Sequence, residues 1–195
     1  MEEALTPDKC SALVIGGSAG SLDVLLKIFP DLDKSINFPI IIVTHRKPGN
    51  DTLLADLLQN RTGLKIREVE EKEEIMDGCV YIAPADYHLL IEKNKTFSLD
   101  YSEKVNYSRP SIDVTFQSAA EIYKNELVCV LLSGSNADGV EGLKTVNNFG
   151  GSVVIQDPQT AIMPYMPQQA VLNVKKGTIL DAENMANFIN KLATK

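Results

Sequence analysis

The sequence predicts a three-layer α/β protein in which helices cover both faces of a doubly wound, mostly parallel sheet. Runs rich in Val, Ile and Leu alternate along the chain with amphipathic stretches, the pattern of strands joined by helical crossovers. The apolar runs are continuous rather than alternating, so we expect strands that are buried on both faces. One stretch departs from this pattern and predicts a β-hairpin insert.

The first half of the chain predicts a strand-rich region and ends in the hairpin. Predicted strands cover residues 11–16, 38–45, 64–69 and 78–83, and predicted helices cover residues 21–32 and 49–62. Asn50 or Asp51 is a suitable N-cap for the second helix. Residues 84–102 predict the hairpin, with its turn at residues 93–95.

The second half continues the alternation of strand and helix. Its clearest helix, residues 109–125, has an apolar stripe formed by Ile112, Phe116, Ala119, Ala120 and Tyr123. The remaining predicted helices are residues 137–150, 167–174 and 182–193, and the remaining predicted strands are 127–134, 151–157 and 177–181. The helix over 137–150 closes on a glycine, and the strand over 177–181 is expected at a sheet edge.

Length and composition predict one compact domain over residues 9–195, preceded by a flexible N-terminus over residues 1–8. A chain of 195 residues suits a single domain. Its formal net charge of −7 argues against a nucleic-acid partner, because phosphate binding needs a basic face. No apolar run approaches the roughly 20 residues that span a bilayer, and the acidic N-terminus does not resemble a signal peptide. We therefore expect a cytoplasmic protein without membrane insertion.

The three cysteines predict neither a disulfide nor a metal site. Their number is odd, and Cys79 and Cys129 lie in apolar runs. Together with Cys10 they are interpreted as buried, reduced thiols. No metal and no cofactor is expected.

Polar side chains follow several predicted strands, at the edge of an α/β sheet where ligands gather. Ser18 follows the first strand, His45 ends the second, and Asp138 follows the strand over 127–134. A serine, a histidine and an aspartate are the members of an acyl-transfer triad. The stretch "GGSAG" also fits G-x-S-x-G, the turn that lifts a nucleophilic serine clear of a sheet.

Other interpretations of these residues stay open on the local pattern alone. Ser18 is equally suited to cap the first helix, and Asp138 to cap the helix that follows it. A glycine-rich turn also suits phosphate, although neither G-x-G-x-x-G nor a Walker A lysine is present. If Ser18 is a nucleophile, backbone N–H groups of the turn formed by Gly17, Ala19 and Gly20 are candidates for the oxyanion hole.

The choice of base and of orienting carboxylate rests on position. His45 ends a strand next to the first one, whereas His88 begins a hairpin strand and is expected to be structural or to lie at the rim of the pocket. Asp138 follows a fully apolar strand, and Asp86 and Asp157 are its competitors.

Five ordered blocks resemble the catalytic domain of the CheB family of chemotaxis protein-glutamate methylesterases. They are "VIGGSAGS", "VTHRKPG", "YIAPADYHLLI", "RPSIDVTFQSAAEIY" and "VLLSGSNADGVEGL". The resemblance implies that Ser18 is the nucleophile, His45 the base and Asp138 the orienting acid. It also implies hydrolysis of glutamyl γ-methyl esters on cytoplasmic chemoreceptor helices, and deamidation of receptor glutamines in many members.

The chain also departs from the family pattern. Ala19 stands where the family usually has a threonine, and Ser135 where a methionine is common, which predicts a more polar pocket. We expect no receiver domain, which family members usually carry, because the chain starts almost at the first catalytic strand. Either this is a stand-alone enzyme regulated by other means, or a separate receiver or chemotaxis signalling protein is its partner. Two other functions remain: a non-catalytic module that docks on receptors, and a serine esterase or amidase acting on another protein.

Arg46 and Lys47, beside His45, are candidates for a docking patch on the enzyme or for solvent-facing charges.

Overall fold

The computed structural model describes residues 7–46 and 52–193, and these form a seven-stranded parallel sheet with a separate antiparallel hairpin. The sheet strands are β1 (Ala12–Gly17), β2 (Ile40–Thr44), β3 (Lys65–Glu68), β4 (Cys79–Ile82), β7 (Leu127–Leu131), β8 (Ser152–Gln156) and β9 (Thr178–Leu180). The hairpin pairs β5 (His88–Ile91) with β6 (Phe97–Asp100). This confirms the predicted α/β class, the parallel sheet and the hairpin insert.

Six α-helices lie in the described residues. They are α1 (Ser21–Ile28), α2 (Thr52–Gln59), α3 (Ile112–Tyr123), α4 (Val140–Asn148), α5 (Tyr165–Asn173) and α6 (Ala182–Ala193). The five residues of the predicted apolar stripe in α3 are all buried. The suggested caps of α2, Asn50 and Asp51, lie outside the described residues.

The order of strands across the sheet is β3-β4-β2-β1-β7-β8-β9. From β1 the chain first builds the sheet towards β3 and then returns to β1's other edge with β7. The order therefore reverses between β1 and β7, and the carboxyl ends of the strands at such a reversal are where open α/β sheets bind ligands. Both strands are fully buried, as continuous apolar runs require.

Alternate residues of each strand enter two apolar cores, one on each face of the sheet. On one face Val14 and Cys129 pack with Phe116 of α3 and Met166 of α5. On the other face the core contains side chains of α1, of α6 and of α2, including Leu25, Phe188 and Leu58. Helices on both faces make the three layers that the sequence predicts.

Most predicted helices differ from the structure by a few residues at their ends, and two of these differences have a clear local reason. Residues 21–32 form α1 only to Ile28, and Phe29–Asp31 continue as a 3-10 turn that carries Pro30. Residues 109–111 precede α3 rather than belonging to it, because the chain is still extended at Ser111. This extended start leaves the first N–H groups of α3 without partners inside the helix.

Candidate active site

The ends of β1 and β2 place Ser18 and His45 side by side. The two strands are parallel neighbours, and Gly17 pairs with Thr44 at their last register position. Ser18 and His45 are the residues that follow, and the backbone N–H of His45 donates to the carbonyl of Gly17 at 3.4 Å. The N–H of Ser18 donates to the carbonyl of Ser133, beyond the end of β7, at 2.9 Å.

The glycines around Ser18 allow a turn that other residues would block. Gly20 has a φ of 82°, and a Cβ there would lie 2.7 Å from the hydroxyl oxygen of Ser133. A Cβ on Gly16 would lie 2.4 Å from Ile112 of α3, which packs directly over the end of β1. These two positions explain in physical terms why the motif around Ser18 is rich in glycine.

The helix-cap interpretation of Ser18 is wrong in the structure. α1 begins at Ser21 with Gly20 as its N-cap and without a side-chain cap. The hydroxyl of Ser21 donates to the carbonyl of Ser18 at 2.7 Å, which fixes the backbone of the turn. The Ser18 hydroxyl points instead to His45.

Three side chains form a hydrogen-bonded line. Ser18 Oγ lies 3.1 Å from Nδ1 of His45, and Nε2 of His45 lies 2.8 Å from Oδ2 of Asp138. An ionised carboxylate only accepts hydrogen bonds, so the proton of neutral His45 belongs on Nε2. Nδ1 then keeps its lone pair towards Ser18, which is the arrangement a general base requires.

Asp138 is fully buried, and its environment favours the carboxylate. Burial alone would raise its pKa, but hydrogen bonds from His45, from the Asn106 side chain and from the backbone N–H groups of Ile112 and Asp113 outweigh that effect and lower the pKa to about 2. The N-cap of α4 is Gly139, so the interpretation of Asp138 as the cap of that helix is wrong. Its side chain accepts from the first N–H groups of α3 instead.

The two competing aspartates have other partners. Asp86 accepts from two guanidinium nitrogens of Arg109, at 3.1 and 2.7 Å. Asp157 accepts from the N–H of Gln159 in the turn after β8. Of the three candidates, Asp138 is the one that contacts His45.

The two predicted pocket residues occupy different environments. His88 is 1% exposed; its Nε2 lies 2.9 Å from the carbonyl of Glu103, and its Nδ1 accepts the N–H of Ser111 at 3.1 Å. It therefore ties the hairpin to the segment before α3 and does not line the rim. Ser135 is exposed on the loop between β7 and α4, the loop that also carries Asp138.

Arg46 is mostly buried, so its interpretation as a solvent-facing charge is wrong. Its side chain is 11% exposed and donates to the carboxylate of Glu68 at 3.2 Å and to the carbonyl of Ala83. Lys47, the other candidate for a docking patch, lies outside the described residues.

The turn after Ser18 offers backbone donors to a reacting group. Among the described residues, no acceptor receives the N–H of Ala19 or of Gly20. The carbonyl of Ala19 accepts from the hydroxyl of Ser133 at 2.8 Å, which fixes this peptide against the β7 loop. Gly17 contributes differently, because its carbonyl holds the backbone of His45.

Four polar residues near the triad were missed by the sequence analysis. Ser108 Oγ lies 3.4 Å from Nδ1 of His45, and Ser111 Oγ donates to Asp138 Oδ1 at 2.8 Å. Asn106 and Asp113 belong to the same network. Three of them, Asn106, Ser108 and Ser111, lie at or before the start of α3, where the sequence shows only a polar loop. Asp113 has the pattern of an ordinary acidic residue in a first helical turn.

Residues 7–46 and 52–193 contain neither a candidate metal-binding cluster nor a membrane-spanning helix. No group of three or more His, Cys, Asp or Glu side chains there is arranged to hold a metal ion. None of the helices in these ranges is long and apolar enough to cross a membrane.

Comparison with known proteins identifies the family. The family model described as CheB methylesterase matches residues 13–189, which is most of the chain. The chain belongs to the CheB methylesterase family. The crystal structure of the Thermotoga maritima CheB methylesterase catalytic domain superposes with a TM-score of 0.88 at 35% sequence identity, covering 94% of this chain and 99% of that one.

Curated relatives of the family agree with this assignment. A Leptospira interrogans protein is 45% identical, and the alignment covers 93% of this chain and 94% of that protein. Its name assigns it protein-glutamate methylesterase and protein-glutamine glutaminase activities provisionally. The Thermotoga maritima protein-glutamate methylesterase/protein-glutamine glutaminase is 39% identical over 82% of this chain, and a Clostridium acetobutylicum protein of the same name is 29% identical over 96%. The chain spans about half the length of these two relatives, 47% and 54%.

Proposed function

We propose that this chain is a protein-glutamate methylesterase that hydrolyses the γ-methyl esters of chemoreceptor glutamates through Ser18, His45 and Asp138. The observation that carries the proposal is the continuous hydrogen-bonded line from the Ser18 hydroxyl through His45 to a buried carboxylate. Membership of the CheB methylesterase family supports the substrate class, because relatives are named for that activity.

The first chemical step forms an acyl-enzyme. Nδ1 of His45 takes the proton of Ser18 as Oγ attacks the ester carbonyl, and Asp138 stabilises the imidazolium through Nε2. The N–H groups of Ala19 and Gly20 are our candidates for stabilising the negative charge on the carbonyl oxygen. The imidazolium then protonates the leaving methoxide, so methanol departs and the glutamyl group remains esterified to Ser18.

The second step regenerates the enzyme. His45 now takes a proton from a water molecule, which attacks the acyl carbonyl, and returns that proton to Ser18 Oγ as the bond breaks. The product is a glutamate carboxylate. A glutamine side chain would follow the same course with ammonia as the leaving group. We include this deamidase activity because the relatives' names give it beside the esterase activity.

The partners in this proposal are the methylated cytoplasmic helices of chemoreceptors, so the enzyme would work in the cytoplasm. A separate receiver or chemotaxis signalling protein remains a proposed regulator. The contacts of Arg46 do not support the docking patch, since its guanidinium is held by Glu68. Of the other functions, a non-catalytic docking module is disfavoured by a triad whose members are already hydrogen-bonded. An esterase or amidase acting on a different protein shares this site and would differ in substrate alone.

Methanol release from methylated receptor membranes tests the proposal. Wild-type protein should release methanol, and Ser18→Ala should reduce release by about 10⁴-fold or more, because the nucleophile is lost. Ser35→Ala is the matched control, since Ser35 is exposed on the loop before β2 and lies outside the network.

Each outcome decides one part of the proposal. Release by Ser18→Ala at the wild-type rate would refute Ser18 as the nucleophile. A wild-type protein that hydrolyses a simple serine-esterase substrate, but releases no methanol from any methylated receptor, would refute the receptor substrate while leaving the triad in place.

A further inference from the structure

The carboxylate of Asp138 receives hydrogen bonds from an unusually large set of donors. Oδ2 accepts from His45 Nε2 and from the N–H of Ile112 at 2.7 Å. Oδ1 accepts from the N–H groups of Asp113 and Gly139, from Ser111 Oγ and, at 3.0 Å, from the side-chain amide of Asn106. The Asn106 donor stands apart, because it comes from an exposed loop rather than from the core or a helix start.

The same amide nitrogen also contacts a second carboxylate. Asn106 Nδ2 donates to Oδ2 of Asp113 at 2.8 Å, while Oδ1 of Asp113 accepts the N–H of Gly142 in α4 at 2.7 Å. Asp113 is 5% exposed, and burial together with the charge of Asp138 raises its pKa to about 6. The two hydrogens of one amide therefore lie between two buried acidic groups that would otherwise repel each other.

The backbone presents this amide at the tip of a tight turn. Val105 and Ser108 exchange two backbone hydrogen bonds, at 3.2 and 2.9 Å, around Asn106 and Tyr107. Both central residues have positive φ, 50° for Asn106 and 62° for Tyr107, a combination that the type I′ turn of two-residue hairpins requires. Asparagine tolerates this conformation well, whereas tyrosine does not, and Tyr107 is 98% exposed.

From this geometry we infer that Asn106 is a positioning residue of the esterase, whose amide holds Asp138 in the orientation that His45 needs by bridging it to Asp113. The inference rests on the proposed function, because it acts through the proposed triad. Asn106 donates both amide hydrogens to carboxylates and so cannot pair with the substrate at that nitrogen. Its removal should therefore change kcat more than KM.

The variant Asn106→Gly removes the amide and keeps the positive φ of the turn. Loss of one hydrogen bond to a buried carboxylate should lower kcat for methyl-ester hydrolysis about tenfold, with KM close to that of the wild type. Asn106→Asp should lower kcat further, because a third carboxylate then faces two others. Tyr107→Gly is the matched control: it makes the same backbone change at the neighbouring positive-φ position and should keep the wild-type kcat.

A rescue experiment separates positioning from general loosening of the loop. Oδ2 of Asp113 and Oδ1 of Asp138 lie 2.8 and 3.0 Å from the same Asn106 nitrogen, so both carboxyl groups face the space that the Asn106 amide fills. In the double variant Asn106→Gly with Asp113→Asn, the new amide at position 113 can donate to Asp138 in place of the lost one. The double variant should recover part of the kcat lost in Asn106→Gly.

The results separate this inference from the triad itself. A wild-type kcat in Asn106→Gly, an equal loss in Tyr107→Gly, or a change confined to KM would each overturn the role of Asn106 and leave the triad untouched. Wild-type activity in Ser18→Ala, measured in the same assay, would overturn the proposed function. If Asn106→Gly folds poorly in urea titrations, Asn106→Asp carries the test, and a wild-type kcat in that variant overturns the inference equally.

Discussion

The two histidines of the chain show how environment, rather than residue type, makes a catalytic group. His45 is 15% exposed at its side chain and contacts a serine hydroxyl and a buried carboxylate. His88 is 1% exposed and contacts backbone groups, the carbonyl of Glu103 and the N–H of Ser111. Both rings have partners at both nitrogens, but only the partners of His45 can exchange a proton during a reaction.

The difference follows from where each histidine lies in the sheet. His45 follows β2 at the carboxyl ends of the parallel strands, beside β1, where the strand order reverses. His88 begins β5 of the separate hairpin and lies inside the joint between that hairpin and α3. A histidine in the first place can serve chemistry, and one in the second serves to satisfy buried polar backbone.

The largest expected effect comes from exchanging each ring for an amide of similar reach. His45→Gln should lower kcat/KM for methyl-ester hydrolysis by about 10⁴-fold or more, because glutamine cannot accept the proton of Ser18. His88→Gln should retain the activity of each folded molecule to within roughly threefold, because the ring contacts backbone groups and none of the three triad side chains. Steady-state kinetics, corrected for the folded fraction, give the comparison. Equal losses of kcat/KM in both variants would contradict the different roles of the two histidines.

For stability the order of the two histidines should be reversed, with the larger loss at His88. Loss of His88 leaves the buried N–H of Ser111 without its partner and removes the hydrogen bond to the carbonyl of Glu103, so His88→Leu should lower the free energy of unfolding by about 1–3 kcal/mol. His45 is partly exposed, and His45→Gln should cost less than about 1 kcal/mol. Urea denaturation at neutral pH measures both values. A smaller loss for His88→Leu than for His45→Gln would contradict the structural role of His88.

The two carboxylates that Asn106 bridges, Asp138 and Asp113, should make the free energy of unfolding depend on pH in opposite directions. Asp138 has a pKa lowered from 3.8 to about 2, so its contribution to stability is present above pH 4 and is lost as pH falls towards 2. Asp113 has a pKa raised to about 6, so its contribution is complete below pH 4 and is lost as pH rises through 6. Each contribution is on the order of 2–3 kcal/mol.

Urea titrations of wild type and of the single variants Asp138→Asn and Asp113→Asn, from pH 2.5 to 8, check these signs. The wild type should lose stability relative to Asp138→Asn on the acid side, and relative to Asp113→Asn between about pH 4 and 7. Pairs of curves that run parallel over the whole range would show that neither carboxylate titrates as its contacts require.

The smallest expected effect concerns Arg46, the residue after His45. Its guanidinium lies against Glu68 and the carbonyl of Ala83, so Arg46→Gln should lower the free energy of unfolding by about 1 kcal/mol and leave KM for methylated receptor nearly unchanged. KM measured at two ionic strengths decides this. A KM that rises several-fold and becomes less sensitive to salt would restore Arg46 as part of a docking surface.

The fold was predictable because its strongest signals are local. Continuous apolar strands, the stripe of α3 and the hairpin at residues 84–102 each follow from the period of hydrophobic residues, and the structure confirms them. Helix ends were less predictable. Pro30 and the extended Ser111 move the ends of α1 and α3 by amounts that the apolar pattern does not encode.

The site was predictable only where residues follow strands directly. Ser18 and His45 lie next to strand ends, and the ordered family blocks distinguished Asp138 from Asp86 and Asp157. The supporting residues were not predictable, because their role depends on tertiary contacts. Asn106 lies in a polar loop 32 positions before Asp138, and its hydrogen bond exists only because the loop folds back over the start of α3.

Covalent labelling by a serine-directed phosphonate tests the central claim, activation of Ser18 by His45, most directly. Mass mapping of labelled wild-type protein should place the adduct on Ser18, His88→Gln should label at the wild-type rate, and His45→Gln should label at least about 10²-fold more slowly. An adduct on another serine, or labelling of Ser18 that is as fast in His45→Gln as in the wild type, would contradict the account.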